Sequence, residues 1–348
     1  MKSTRILVVD DSAFFRRVLI RSLESIEGAE VVGYARNGNE ALVKLDRLEV
    51  DLIILDMKMP EMDGLQTLEK IKEMKIPVRV IILSGHSRKT VQNTVAALLL
   101  GAEDFLVKPT SSADNEAELR ARLQKLVLLP AASGQERSDP SVPKVPPIPL
   151  GAGSSEVLVV ASSTGGPNAL NQIFAELPAV RQPILVAQHM PAEFTRSLAN
   201  QLDGKGENRV KEAEHGEPLR PFTTYIAPGD FHLLVRGSRH GPTICLEQSE
   251  RVNHCRPAAD VLFRSAVEVF GRTVLGLVLT GMGTDGLEGS RAIVEAGGEV
   301  YSQDRDSCVV WGMPRMVTEA GLAQPVELSQ LASFLLAKLG DPALCEGA

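Results

Sequence analysis

The sequence predicts an α/β protein of two doubly wound units, each with a largely parallel sheet. Two observations lead there: short apolar runs of strand length recur along the chain, and stretches of helical period separate them. A third observation divides the pattern, because residues 130–154 carry Pro130, Pro140, Pro143, Pro146, Pro147 and Pro149 among Gly and Ser. Such a segment has no core of its own and reads as a partly extended linker. The expected organisation is one domain over residues 1–129, the linker over 130–154, and a second domain over 155–348. A chain of 348 residues is long for a single core, which agrees with two domains.

In the first unit the apolar runs are residues 5–9, 30–34, 51–55, 78–83 and 103–107. Residues 63–74 and 89–100 between them have helical period. Five strands alternating with five helices imply a parallel sheet covered on both faces. The second unit resumes the alternation at Glu156. Its runs 157–161 (VLVVA), 183–188 (PILVAQ) and 273–280 (TVLGLVLT) are continuous rather than alternating, as strands buried on both faces should be. Residues 225–247 interrupt the pattern with two β-like runs around Arg236-Gly237-Ser238-Arg239-His240-Gly241-Pro242, which predicts an antiparallel hairpin.

Bulk composition excludes several classes. A net charge of −7 opposes nucleic-acid binding by phosphate neutralisation. No apolar run is long enough to cross a membrane, and the N-terminal run is too short for a signal-peptide core. Cys245, Cys255, Cys308 and Cys345 lack C-x-x-C spacing, so neither a zinc site nor a disulfide framework is expected. A cytoplasmic protein without nucleic-acid partner or membrane insertion is the simplest reading.

Past the runs of the first unit stand Asp10 and Asp11, Asp56, Ser84, and Lys108 followed by Pro109. In an open α/β sheet, ligands bind beyond the carboxyl ends of the strands, so these residues can share one crevice. Clustered carboxylates repel unless a hard cation joins them, and Mg²⁺ suits a few carboxylates with water and phosphate oxygens. A lysine opposite would neutralise a phosphoryl group, Ser84 could hydrogen-bond it, and Asp56 is the natural nucleophile. Taken singly, an Asp pair after a strand is also a common helix cap.

The second unit repeats the arrangement with Ser163, His189 and Asp285, each past an apolar run. A serine hydroxyl needs an imidazole to take its proton, and the imidazole needs a carboxylate to fix its tautomer. Gly165 and Gly166 would let a substrate approach the backbone, and Pro167 suits a first helical position. The chain order Ser, His, Asp differs from that of the better-known serine hydrolases, and the serine is not in a G-x-S-x-G elbow. Asp285 could equally cap the helix starting near Gly286. From the residues alone, Ser162 competes with Ser163 for the nucleophile.

Two resemblances sharpen these expectations. Residues 5–109, with V-V-D-D-S, L-D-M-K-M-P-E-M-D-G, L-S-G-H and D-F-L-V-K-P, resemble a response-regulator receiver domain, which implies a flavodoxin-like (βα)₅ fold. That implies phosphorylation of Asp56 by a phosphohistidine partner, a CheA-type histidine kinase. Mg²⁺ would sit on Asp10, Asp11 and Asp56, with Ser84 and Lys108 at the phosphoryl group. Phe105 would hold the place of the family's aromatic switch, unless it is simple core.

Residues 156–340 resemble the catalytic domain of protein-glutamate methylesterases, the CheB family of chemotaxis, through A-S-S-T-G-G-P, A-Q-H-M-P-A-E-F-T-R-S-L-A, Y-I-A-P-G-D, R-P-A-A-D-V-L-F, L-T-G-M-G-T-D-G and C-V-V-W-G-M-P. The resemblance implies Ser163 as nucleophile, His189 as base and Asp285 as its orienting carboxylate, with Met282 in the adjoining loop and no cofactor in this domain. It also implies methyl-accepting chemoreceptors as substrate, ester hydrolysis plus glutamine deamidation, and control by the receiver. Two positions depart from the family: Ser162 replaces an alanine, and Cys255 stands where histidine is expected. A non-catalytic regulator and a general serine hydrolase remain the alternative classes. His86, His215, His232 and His240 are expected to be surface or structural residues.

Overall fold

Each of two parallel sheets is wound outward from its first strand. The computed structural model describes residues 3–108, 113–128 and 155–339; the expected linker 130–154 and Pro109 lie outside them. The chain divides into two compact units, Met1–Ser133 and Gly134–Ala348.

The first unit runs β1 (Thr4–Val9), α1 (Ala13–Glu24), β2 (Ala29–Ala35), α2 (Gly38–Arg47), β3 (Leu52–Asp56), α3 (Gly64–Glu73), β4 (Arg79–Ser84), α4 (Arg88–Leu99), β5 (Asp104–Val107) and α5 (Ala113–Val127). Its strands are all parallel in the order β2-β1-β3-β4-β5, the flavodoxin-like order. Every residue of β3 is buried, which explains why its sequence shows no alternation. Side chains decide where the helices begin. Ser12, Asn37, Asp63 and Ser87 each accept from the backbone N–H three residues on, satisfying a donor that the helix itself cannot pair. Ile6, Val8, Leu52, Ile54, Ile81 and Leu83 pack with Leu19, Leu23 and Leu123 into the core that fixes the strand ends.

The second unit contains β6 (Val157–Ser162), α6 (Gly166–Glu176), β7 (Ile184–Gln188), α7 (Ala192–Leu202), β8 (Arg209–Glu212), β9 (Thr223–Ile226), β10 (His232–Ser238), β11 (Gly241–Glu247), α8 (Ala259–Phe270), β12 (Val274–Val278), α9 (Leu287–Glu295), β13 (Glu299–Gln303), α10 (Met313–Glu319), β14 (Gln324–Val326) and α11 (Leu328–Leu339). Seven strands form a wholly parallel sheet, β14-β13-β12-β6-β7-β9-β8, and β10 with β11 form a separate antiparallel hairpin. Strand order reverses between β6 and β12, which makes their carboxyl ends the switch point of this sheet.

Three sequence expectations need correction. Tyr225 belongs to parallel β9, so the hairpin starts at His232 rather than there; Tyr225 is fully buried, and its hydroxyl accepts from Arg220 N at 3.0 Å. Pro167 is the second residue of α6, because Gly165 takes the cap with φ +78°. Asp285 does not cap α9, whose N-cap is Gly286 at φ +93°, a residue with no side chain to offer.

Close backbone approach also shapes the first unit: a Cβ on Gly64 would lie 2.3 Å from Asp56 O and 2.8 Å from Met57 Cα. Neither neighbour is a flexible side chain. Gly64→Ala should therefore destabilise this unit by about 1–3 kcal/mol, seen as a lower urea midpoint. An unchanged midpoint would show that the α3 start can yield.

Candidate functional site

At the switch point of the first sheet, β1 and β3 bring Asp10 and Asp56 side by side. Oxygens of Asp10, Asp11 and Asp56 all lie within 4.8 Å of one another. Lys108 Nζ reaches Asp10 Oδ2 at 2.6 Å and Asp56 Oδ2 at 2.8 Å, and Phe15 lies beneath the ammonium at 4.9 Å from its ring centre. Asp10 Oδ1 accepts from Ser12 N at 2.8 Å, whereas the buried Oδ2 has no hydrogen bond of good geometry and only the lysine as counter-charge. Three carboxylates against one ammonium, with Asp11 exposed to admit water, fit a hard divalent cation such as Mg²⁺.

Burial pushes the Asp56 carboxyl up to about 6, with Lys108 offsetting only part of the effect. Ser84, the last residue of β4, accepts from Thr94 Oγ1 at 2.8 Å and donates to Gly85 O. Phe105 is buried within β5.

In the second unit, β6 and β7 pair with Ser162 opposite Gln188, and His189 N donates to Ser162 O at 2.9 Å. Ser163 and His189 are the next residues past these two paired strand ends. The structure also separates the two serines. Ser162 is fully buried beneath Gly166, while Ser163 is partly exposed. Ser163 N donates to Thr280 O at 3.1 Å. A Cβ on Gly281 would fall 2.6 Å from Ser163 Cβ, so only glycine fits behind the serine.

His189 Nε2 meets Asp285 Oδ2 at 2.7 Å. Ser163 Oγ is not hydrogen-bonded to His189 among the described residues; such bonds are often long before substrate arrives.

Asp285 is held by a second helix rather than by its own. Its Oδ2 accepts from Ala259 N at 2.6 Å and its Oδ1 from Asp260 N at 3.1 Å, so it caps α8. Asp260 returns the arrangement, accepting from Gly286 N at 3.1 Å and Gly289 N at 2.7 Å at the start of α9. Asn253 Nδ2 bridges the two carboxylates at 2.9 and 3.1 Å. Burial raises Asp285, but His189 and the helix N–H groups outweigh it and hold the carboxyl below its ordinary value. Burial lowers His189, yet Asp285, with Cys255, pushes it up to about 10.

Two doubly wound units, one with an acidic pocket facing a lysine and one with Ser, His and Asp at its switch point, define a receiver joined to a hydrolase-type domain. Comparison with known proteins agrees. The Response regulator receiver domain family model matches residues 6–123, and the CheB methylesterase model matches residues 158–335. A Caulobacter vibrioides protein named protein-glutamate methylesterase/protein-glutamine glutaminase 2 is 42% identical over 96% of this chain and 98% of its own. A Thermotoga maritima protein named protein-glutamate methylesterase/protein-glutamine glutaminase is 40% identical over 92% and 94%. The crystal structure of the Thermotoga maritima CheB methylesterase catalytic domain superposes with a TM-score of 0.51 at 41% identity, covering 53% of this chain and 98% of that one. The chain belongs to the CheB methylesterase family.

Sequence reading missed Asp260 and the bridging role of Asn253. The one available signal was position, since both lie in or beside the stretch that leads into α8. Of the unassigned histidines, His232 is fully buried between Glu250 O and Ala258 N, His215 Nδ1 accepts from Leu246 N, and His86 and His240 are exposed. Among the described residues no helix is long and apolar enough to cross a membrane.

The raised Asp56 carboxyl carries a stability consequence. The folded chain holds this proton more tightly than the unfolded one, whose value is near 3.8. Its contribution is therefore complete below that pH and lost as pH rises through about 6. In chelator at pH 8, Asp56→Asn should stabilise the receiver unit by up to about 3 kcal/mol. The gap should close towards pH 4 and on adding Mg²⁺; urea melts of both proteins that coincide at pH 8 would refute this.

Proposed function

We propose that the chain is a phosphorylation-activated esterase that hydrolyses γ-glutamyl methyl esters on chemoreceptors and deamidates receptor glutamines. The observation that carries this reading is the 2.7 Å His189–Asp285 bond, with a partly exposed Ser163 just past the end of the strand that pairs with β7. A carboxylate only accepts, so Nε2 carries the proton and Nδ1 offers the lone pair. Nδ1 takes the Ser163 proton as Oγ attacks the ester carbonyl. The positive end of α6, which begins three residues after Ser163, favours the developing oxyanion. His189 then returns the proton to the leaving methoxide, releasing methanol, and activates the water that frees Ser163. With a glutamine side chain the same steps release ammonia.

The receiver over residues 1–129 and the catalytic domain over 155–348 act as regulator and enzyme, joined through 130–154, in the cytoplasm. A histidine kinase supplies the phosphoryl group to Asp56, with Lys108 and Ser84 placed to hold its oxygens. Mg²⁺ on Asp10, Asp11 and Asp56 would neutralise charge during that transfer.

Ser163→Ala should abolish methanol release from methylated receptor while Asp56 still takes phosphate from a small phosphodonor. Asp56→Asn should leave basal release and remove its activation. Residual release comparable to wild type in the first variant would move the nucleophile elsewhere, and an unchanged phosphodonor response in the second would discard the control.

The pH profile gives a further check. The rate should climb with pH to a limb above 6.5, the ordinary imidazole value. Asp285→Asn should cut kcat by about 10²–10⁴-fold and shift that limb downwards. A limb unmoved by the substitution would remove Asp285 from the role of orienting group.

A further inference from the structure

The turn 252–255 sets a thiol on the catalytic imidazole. Cys255 Sγ lies 3.6 Å from His189 Nδ1, the ring edge opposite Asp285. The placement is built rather than incidental. Asn253 and His254 both take positive φ, +52° and +63°, a costly pairing away from glycine. Val252 and Cys255 close the turn with backbone bonds of 2.9 and 3.1 Å. Arg256, the next residue, donates from its side chain to Asp230 and to the carbonyls of Gln248 and Ser249.

This turn leaves Cys255 facing the ring nitrogen that Asp285 does not occupy. A thiol within reach of an imidazole that a carboxylate steadies has a proton acceptor at hand. Cys255 is also partly exposed, so small reagents can reach it. Neither of the other described cysteines combines the two features, for Cys245 is partly exposed but lies against Glu247 rather than an imidazole. Cys308 is buried and burial pushes its thiol up, while burial and Glu247 push up Cys245.

We propose that Cys255 is a modification site for hydroperoxides, and that its oxidation switches the esterase off. His189 Nδ1 takes the thiol proton, and the thiolate attacks one peroxide oxygen. The S–O bond forms as the O–O bond breaks; sulfur is oxidised by two electrons to sulfenic acid. The departing hydroxide takes the proton back from His189 and leaves as water. The new S–OH occupies Nδ1, where the Ser163 proton must go. This inference rests on His189 being the base for Ser163, and a dithiol reverses the modification.

The test treats the full chain with hydrogen peroxide, traps sulfenic acid with dimedone, and reads adducts by mass spectrometry beside methanol release. Cys255 should be trapped at least about tenfold faster than Cys245, and its trapping should slow about tenfold in His189→Gln. Untrapped samples should lose activity in proportion to Cys255 oxidation and recover it in dithiothreitol, whereas the activity that Cys255→Ser retains should resist peroxide. In Ser163→Ala the Cys255 reaction should persist; this arm separates the thiol chemistry from the esterase reading, which methanol release tests alone. Trapping no faster than at Cys245, full activity with Cys255 oxidised, or equal peroxide sensitivity in Cys255→Ser would overturn the proposal.

Discussion

The catalytic half depends on one carboxylate, Asp285, which accepts from His189, Asn253 and two backbone N–H groups of α8. Burying a charge is costly unless it is paired and hydrogen-bonded, and here four donors meet that demand. The same bonds fix the carboxylate's position, so the imidazole on it is aimed before any ligand arrives. Asp260 performs the matching service for α9. The two acids thus exchange helices, each capping the one at whose start the other stands. Ser163 is set from the opposite side by Thr280 O and by the close approach of Gly281.

Both halves solve their placement problem alike. In each sheet the strand order reverses beside the first strand, opening a crevice between helices that depart to opposite faces. The first crevice gathers Asp10 and Asp56, the second Ser163 and Asp285. What differs is the chemistry at the strand ends: oxygen ligands with an ammonium in one, and a hydroxyl, an imidazole and a carboxylate in the other.

Much of this was legible in the sequence, for physical reasons. Strands buried on both faces advertise themselves as unbroken apolar runs, and residues just past such runs fall at the sheet edge; Asp10, Asp56, Ser163 and His189 were found in that way. Edge strand β8 (RVKE) carries no such signal, because one side of it meets solvent. Tyr225 was misplaced because a short apolar segment does not reveal whether its partner runs parallel. The exchange of caps between Asp260 and Asp285 was invisible, since it joins residues 25 apart in the chain through side chains on different helices. From the residues alone Ser162 and Ser163 were equivalent; burial tells them apart, since Ser162 ends β6 beneath Gly166 and Ser163 lies just past the strand, partly exposed.

The exchanged caps bind chemistry to folding. A chain that lost Asp285 would lose its imidazole anchor, and α8 would also begin with unpaired buried donors beside an Asp260 deprived of its neighbour. Damage to the active centre would therefore surface as a population that opens more often, and opened chains are cleared by cellular proteases. Inert copies would thus be removed instead of persisting beside active ones.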